Sequence, residues 1–171
     1  MATYRHLAEP IKIGSLQLKN RFMKNGTGFF WDDPNSGSHM NQRYLDYFET
    51  LAKGGTALIS SATGPLIRDV SAKMPGFKIN HDDYIPGWRQ WADVVHRNGA
   101  VAFAQIFHLG PMAPLLVNVP PSAMASAIPR EQSPRPGFGD FRAFTVAEIE
   151  DIVDQFAAAA ERTKAAGIDG T

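Results

Sequence analysis

The spacing of apolar and polar positions changes several times along the chain, and each change predicts a separate element. Residues 11–19 alternate apolar and polar side chains around Gly14 and Ser15, which predicts a short β-hairpin. Residues 21–24 form a brief apolar stretch that we interpret as the first strand of the core. The following residues 31–40 are rich in Asp, Asn, Pro and Gly, a composition typical of a loop.

Two amphipathic helices then alternate with two short apolar strands. A helix that begins at Asn41 and ends at a pair of glycines precedes a buried strand at residues 56–61. After a loop, a second helix is predicted over residues 85–97 and a third core strand over residues 101–107. Because strands and helices alternate, we expect neighbouring strands to be parallel and joined by right-handed crossovers.

A third helix and the start of a fourth strand are predicted near the C-terminus. Thr145 and Glu148 have the spacing of a capping box, which begins a helix that Gly167 ends. Ile168 opens the fourth strand. Six apolar residues are predicted to form the buried stripe of the helix: Ile149, Ile152, Val153, Phe156, Ala157 and Ala160.

Residues 110–144 show no regular spacing and hold more than half of the 12 prolines. Loops of this length are uncommon in compact domains. We interpret the segment as one excursion from the scaffold, so residues 1–171 are predicted to form part of a single domain. Two α/β architectures fit the order of elements, an open doubly wound sheet and a (β/α)8 barrel. A full barrel takes about 250 residues, so this chain would supply about half of one.

Composition and charge exclude several classes of function. The 17 basic residues balance 17 acidic ones, which gives no electrostatic reason to expect a nucleic acid or an anionic membrane as a partner. The absence of cysteine removes disulfides, thiolate metal sites and cysteine nucleophiles, and the histidines lack metal-ligand spacing. No apolar run approaches the roughly 20 residues that span a bilayer, and no secretory signal is apparent, so we expect a cytoplasmic protein.

The carboxyl ends of the predicted strands are the expected place for a ligand, because parallel α/β folds bind there. These ends, at residues 24–28, 60–64 and 105–110, are rich in small or polar side chains that let a flat molecule approach the backbone. Gln105 can donate and accept hydrogen bonds together, which suits the carbonyl and N–H edge of a pyrimidine ring. The alternative is a core amide satisfied within the barrel. His108 is either a catalyst or, as is more common at such a position, a structural hydrogen-bonding residue.

Several segments, in order, resemble one known family. Residues 18–21 read Leu-Lys-Asn-Arg, and residues 54–59 read Gly-Gly-Thr-Ala-Leu-Ile. Residues 104–110 read Ala-Gln-Ile-Phe-His-Leu-Gly, and residues 165–170 read Ala-Ala-Gly-Ile-Asp-Gly. Together these segments resemble the N-terminal half of the Old Yellow Enzyme-like NADH:flavin oxidoreductases.

The resemblance implies a (β/α)8 barrel of the FMN-linked oxidoreductase type, with the hairpin across its bottom and FMN at its C-terminal mouth. The chain would supply the hairpin, strands 1–3, helices 1–3 and the start of strand 4. The implied protein is an enzyme, a flavoprotein that passes hydride from NADH or NADPH through flavin to an activated alkene. Its substrate would be a small enone or enoate.

By position, the resemblance implies seven cofactor-binding residues and no metal site. Gln105 would bind the pyrimidine edge of the flavin, the backbone around Ala62 would approach the ring, and His108 would shape the same wall. The residues after the first strand would line the flavin: Asn25, Gly26, Thr27 and Gly28.

The sequence also departs from the family pattern. Gly28 stands where relatives often carry Thr or Cys beside the flavin, Thr27 where many have Met, and Pro111 where Arg is common. The family's substrate-binding histidine pair and proton-donating tyrosine would lie beyond Thr171, so no catalytic residue is assigned.

Two other hypotheses stand beside an ene-reductase. In the first, the chain is a truncated, non-catalytic half-barrel module that needs a companion chain or homo-oligomerisation to cover its open sheet edge. In the second, it is an unrelated barrel enzyme that shares only the topology.

Overall fold

The predicted elements form, in the predicted order. The computed structural model describes residues 4–28, 31, 40–62, 77–108, 123–132 and 141–171. The remaining parts of the predicted loops, together with Pro111, lie outside the described residues. Short 3₁₀ turns at Arg5–Ala8, Asp82–Tyr84 and Arg130–Gln132 supplement the helices and strands.

The N-terminal hairpin is confirmed. Strands β1 (Ile11–Ile13) and β2 (Leu16–Leu18) pair antiparallel, with Ile11 opposite Leu18. Gly14 in the turn has a φ of 58°, in the left-handed region that glycine occupies without steric cost.

Three parallel strands form the core sheet. Strands β3 (Met23–Lys24), β4 (Leu58–Ala62) and β5 (Val101–Gln105) are adjacent in that order. The register places Lys24 beside Ile59 and Ala62 beside Gln105. The predicted parallel arrangement is therefore confirmed, and the carboxyl ends of all three strands point the same way.

The start of a fourth strand is also confirmed. The Asp169 N–H donates to the Ala102 carbonyl at 2.9 Å, and the Ala104 N–H donates to the Gly170 carbonyl at 3.0 Å. Gly170 lies opposite Phe103 in a parallel bridge, where a Cβ would come within 2.7 Å of the phenylalanine ring. Glycine at this position lets the segment approach β5.

Helix α1 (Gln42–Lys53) begins where the sequence predicts. The side chain of Asn41 accepts from the Tyr44 N–H, which satisfies a backbone donor that has no partner within the helix. Gly54 is the C-terminal cap residue, and Gly55 follows with a φ of 98°. The glycine pair thus turns the chain into β4.

Helices α2 (Ile85–His96) and α3 (Val146–Ala165) follow the predicted pattern closely. At the start of α3, the Glu148 N–H donates to Thr145 Oγ1 at 3.2 Å, and the Thr145 N–H donates to Glu148 Oε2 at 2.8 Å. These reciprocal bonds are the predicted capping box.

The two faces of the sheet bury different clusters, because side chains alternate along a strand. On one face, Ile59 and Ala102 pack against the helices, in a cluster that contains Phe48, Trp88 and Trp91. On the other face, the hairpin residue Leu18 packs against Leu58, with Val101 and Phe103 at the edge of that cluster. The hairpin therefore covers the face away from the helices, near the amino ends of the strands.

The predicted apolar stripe of α3 is partly wrong. Val153 is 60% exposed, Ile149 is 44% exposed and Ala157 is exposed as well, whereas Ala159 and Thr163 are buried. The spacing of apolar residues predicts which side of the helix is apolar. It does not predict how much of that side is covered, because this depends on how far the neighbouring elements extend. The described part of the molecule packs against the C-terminal half of α3.

The excursion at residues 110–144 has local structure in its described parts. Met124 forms a parallel bridge with Ala143, and Ile128 forms an antiparallel bridge with Phe141, which is buried. Single bridges of this kind leave no periodic pattern in a sequence, so the sequence predicts only a loop here.

Candidate functional site at the carboxyl ends of the strands

The parallel register brings the predicted site residues to one edge of the sheet. Ala62 and Gln105 are direct partners at the ends of β4 and β5. Lys24 ends β3, so residues 25–28 continue from the same edge. Parallel α/β folds bind ligands at this edge.

Gly26 lies directly against Gln105. A Cβ on Gly26 would be 2.0 Å from Gln105 Oε1 and 3.1 Å from Gln105 Cδ, and the first of these distances is too short for any pair of unbonded heavy atoms. Only glycine at position 26 therefore leaves the carboxamide of Gln105 where it lies. The residues after the first and third core strands form one surface.

The main-chain carbonyl of Asn25 organises the residues that follow β3. It accepts from Lys24 Nζ at 2.7 Å and from Thr27 Oγ1 at 3.4 Å. The side-chain oxygen Asn25 Oδ1 accepts from the Gly26 N–H at 2.8 Å. We call residues 24–27 the Asn25 turn. Hydrogen bonds among these four residues therefore orient the polar groups of the turn.

Gln105 is exposed at the end of its strand, although its neighbour Ala104 is buried. Alternation along β5 places Gln105 on the face away from the helices, together with Phe103. In the described part of the chain, its carboxamide is thus not enclosed in a core. The carboxamide lies at the carboxyl edge of the sheet, beside Gly26.

His108 lies three residues beyond β5 and is half-buried. Its ring is 5.9 Å from the ring of Phe144, in an edge-to-face arrangement. Burial lowers the pKa of His108 below its ordinary value, because a protonated imidazole is poorly solvated there. The end of the 110–144 excursion therefore reaches the neighbourhood of the predicted site.

The remaining predicted positions differ in their surroundings. Gly28 is exposed, and a Cβ added there would have no neighbour within 4 Å among the described residues. Thr27 is exposed, and its hydroxyl donates to the Asn25 carbonyl within the Asn25 turn. The backbone of Ala62 ends β4 beside Gln105.

Two residues at this edge were missed as candidates. Lys24 ends β3 and holds the Asn25 carbonyl, and Thr171 donates from Oγ1 to the Ala104 carbonyl at 2.7 Å. Lys24 could have been identified from the sequence, because it is a charged residue at the end of an apolar strand. Thr171 gave no signal, because its partner is known only once the fourth strand is placed.

Within the described ranges, no group of three or more His, Asp or Glu side chains is arranged to hold a metal ion. The helices of those ranges are also too short or too polar to cross a membrane.

Comparison with known proteins identifies the family. A model of the NADH:flavin oxidoreductase / NADH oxidase family matches residues 6–171. The chain belongs to this family.

Relatives in this family support the assignment over nearly the whole chain. The N,N-dimethylglycine/sarcosine dehydrogenase of Chromohalobacter salexigens is 30% identical over 96% of this chain and 23% of its own length. The cinnamate reductase of Clostridium sporogenes is 30% identical over 98% of this chain and 25% of its own length. The chain thus spans about a quarter of the length of these relatives.

Solved structures of NADH:flavin oxidoreductases confirm the predicted fold. The Old Yellow Enzyme from Pichia sp. AKU4542 superposes with a TM-score of 0.77 at 23% identity, covering 96% of this chain and 44% of that one. The described elements are therefore part of a (β/α)8 barrel, and the doubly wound alternative is wrong.

Proposed function

We propose that the whole protein is an FMN-dependent oxidoreductase of the ene-reductase type, which uses NADH or NADPH to reduce a small enone or enoate. The observation that carries the proposal is the contact between Gly26 and Gln105, which presents an exposed carboxamide beside a backbone without a side chain at the carboxyl edge of the sheet. The family membership supports FMN as the cofactor. The 30% identity to a cinnamate reductase supports an activated alkene as substrate.

The residues at this edge fit a flavin ring. The Gln105 carboxamide donates and accepts at once, which matches the alternating N–H and carbonyl groups of the flavin pyrimidine. Gly28 carries no side chain and has open space beside it, so a planar ring can approach its backbone, whereas the space beside Gly26 is filled by the Gln105 carboxamide. Asn25, Thr27 and the backbone of Ala62 would complete the wall, and His108 would border it.

When bound, FMN would supply the chemistry of hydride transfer from a reduced nicotinamide to the β-carbon of an alkene. The residues of this chain would bind and orient the ring rather than move protons. Burial lowers the pKa of His108, which disfavours a charged imidazole in this wall. Gln105 would fix the ring in its plane through two complementary hydrogen bonds.

The test is a visible absorbance titration of the purified protein with FMN. We expect the flavin bands to shift on binding, at about one FMN per protein. Gln105→Ala should weaken the affinity at least tenfold, because it leaves flavin donors and acceptors unpaired. Gln17→Ala is the matched control, because Gln17 is an exposed glutamine in the hairpin at the opposite end of the sheet.

Wild-type affinity in Gln105→Ala would contradict the role of Gln105, and no FMN binding by the wild-type protein would contradict the proposal as a whole. Reduction of cinnamate-like and cyclic enone substrates, followed through NADH and NADPH absorbance, then tests the substrate class and the reductant.

The surfaces on either side of the described sheet favour a partner for these elements. Phe22 and Met23, at the edge strand, are 51% and 55% exposed, and Val146 and Val153 on α3 are 72% and 60% exposed. A companion polypeptide or a second copy of this chain would cover such apolar surfaces. Light scattering of the 171-residue chain tests this part of the proposal, because a stable monomer would contradict it.

A further inference from the structure

Lys24 occupies a position where a charge is costly. Its register partner Ile59 is fully buried in the cluster between the sheet and the helices, so the Lys24 side chain leaves the strand on the helix side. Its ammonium lies 5.6 Å from the centre of the Phe48 ring. Burial lowers the pKa of Lys24, as expected for an ammonium that loses part of its hydration.

The ammonium of Lys24 is held close to the proposed site. It donates to the main-chain carbonyl of Asn25 at 2.7 Å, a short, charge-assisted hydrogen bond. The carbonyl of Asn25 is thereby drawn towards the helix layer, where Phe48 lies. Thr27 adds a second, longer bond to the same oxygen.

The direction of that carbonyl decides the direction of the next N–H group. The described peptide bonds are all trans, and in a planar trans peptide the C=O and N–H groups point in opposite directions. With the Asn25 carbonyl held on the helix side, the Gly26 N–H must point to the other side, where Asn25 Oδ1 accepts it at 2.8 Å. This orientation is also the one in which Gly26 lies against Gln105.

We propose that Lys24 is a positioning residue: its ammonium fixes the plane of the peptide between Asn25 and Gly26 and so holds Gly26 against the carboxamide of Gln105. The effect on flavin binding rests on the proposed function, but the effect on the backbone does not. Lys24 acts through the main chain of its neighbours and not by contact with the ring.

The chain contains a matched control for this role. Lys19 also donates from Nζ to a main-chain carbonyl, that of Asn98, at 3.0 Å. That bond joins the end of the hairpin to the turn before β5, at the opposite end of the sheet. Lys19→Met therefore removes the same kind of bond without touching the Asn25 turn.

The experiment measures amide hydrogen exchange at Gly26, and separately the FMN affinity, in the whole protein. In Lys24→Met we expect the Gly26 amide to exchange at least tenfold faster and FMN to bind about tenfold more weakly. Lys19→Met should leave both quantities at wild-type values. Lys24→Arg, which retains a charged donor, should restore most of the protection of Gly26.

The outcomes separate the two proposals. Wild-type exchange at Gly26 in Lys24→Met overturns the role of Lys24, and so does an equal loss of protection in Lys19→Met. If Gly26 exchanges faster but neither Lys24→Met nor Gln105→Ala changes FMN affinity, the positioning role holds and the flavin site fails. Thermal unfolding of each variant without FMN identifies any that do not fold, and Lys24→Arg then carries the test.

Discussion

The imidazole Nε2 of His96, at the end of α2, lies 2.7 Å from the carboxylate oxygen Oδ2 of Asp169. The same oxygen accepts from the backbone N–H of Ala102 in β5, at 2.8 Å. One carboxylate thus joins a helix end, a core strand and the start of the fourth strand. The backbone N–H of Asp169 also donates to the Ala102 carbonyl. The side chain and the main chain of Asp169 therefore fix the same register between the fourth strand and β5.

Asp169→Ala should destabilise the fold by about 1–3 kcal/mol, because it leaves a backbone N–H and an imidazole without their acceptor. Asp169→Asn retains an oxygen acceptor and should lose less. Urea unfolding followed by circular dichroism measures the difference. Asp93→Ala, an exposed substitution on α2, is the control and should stay within about 0.5 kcal/mol of wild type. Equal stability of Asp169→Ala and Asp93→Ala would show that the junction contributes nothing.

Gly26→Ala should reduce FMN affinity much more than it reduces stability. The new Cβ would displace the Gln105 carboxamide, which lies at the flexible end of an exposed side chain and can turn away at little cost. We expect the dissociation constant for FMN to rise at least tenfold, and the unfolding free energy to change by less than about 1 kcal/mol.

The control for Gly26→Ala is Gln17→Ala, an exposed substitution in the hairpin at the opposite end of the sheet. A double-mutant cycle completes the test. Once Gln105→Ala has removed the carboxamide, adding Gly26→Ala should change FMN affinity very little, because the two residues act through one contact. Additive losses in the double variant would contradict the contact.

The capping box of α3 should make stability depend on pH in the acid range. Hydrogen bonds from Arg142, and then the backbone bond from Thr145, lower the pKa of Glu148 from 4.5 to about 2. The lowered pKa means that the unfolded chain binds the proton more tightly. The contribution of Glu148 is therefore fully present above pH 4.5 and is lost as the pH falls towards 2.

Unfolding midpoints of wild type and Glu148→Gln, measured between pH 2 and pH 6, test this expectation. The difference between the two proteins should be largest at pH 6 and should shrink as the pH falls. Glu150→Gln, on an exposed neighbouring position, should show no such narrowing. A difference that stays constant over the whole range would contradict the assignment.

His108 should produce a second dependence, nearer neutrality. Burial lowers its pKa below the ordinary 6.5, so the unfolded chain takes up the proton at a higher pH than the folded one. The contribution of neutral His108 to the unfolding free energy should therefore be fully present above pH 6.5 and decrease as the pH drops below that value. His108→Gln should remove this part of the pH dependence, whereas His81→Gln, at an exposed position, should leave it in place.

Most of the scaffold was predictable because it depends on local patterns. The Asn41 cap, the Thr145–Glu148 capping box and the Gly14 turn are each formed by residues a few positions apart, so their signals are complete in the sequence. The long-range pairing followed from alternation of strands and helices, which favours parallel neighbours. The buried side of α3 was predicted less well, because exposure of Ile149 and Val153 depends on where other elements end.

The sequence by itself determined the order of elements, and it also carried the predictions that a ligand binds at the carboxyl edge and that Gln105 contacts it. Only the tertiary structure decided that Gly26 is the residue against the Gln105 carboxamide, that Lys24 holds the Asn25 carbonyl, and that Asp169 joins His96 to β5. The reason is geometric. Contacts within a turn are set by neighbouring residues. Contacts between strands depend on the register, because a shift of one residue would turn every side chain to the other face of the sheet.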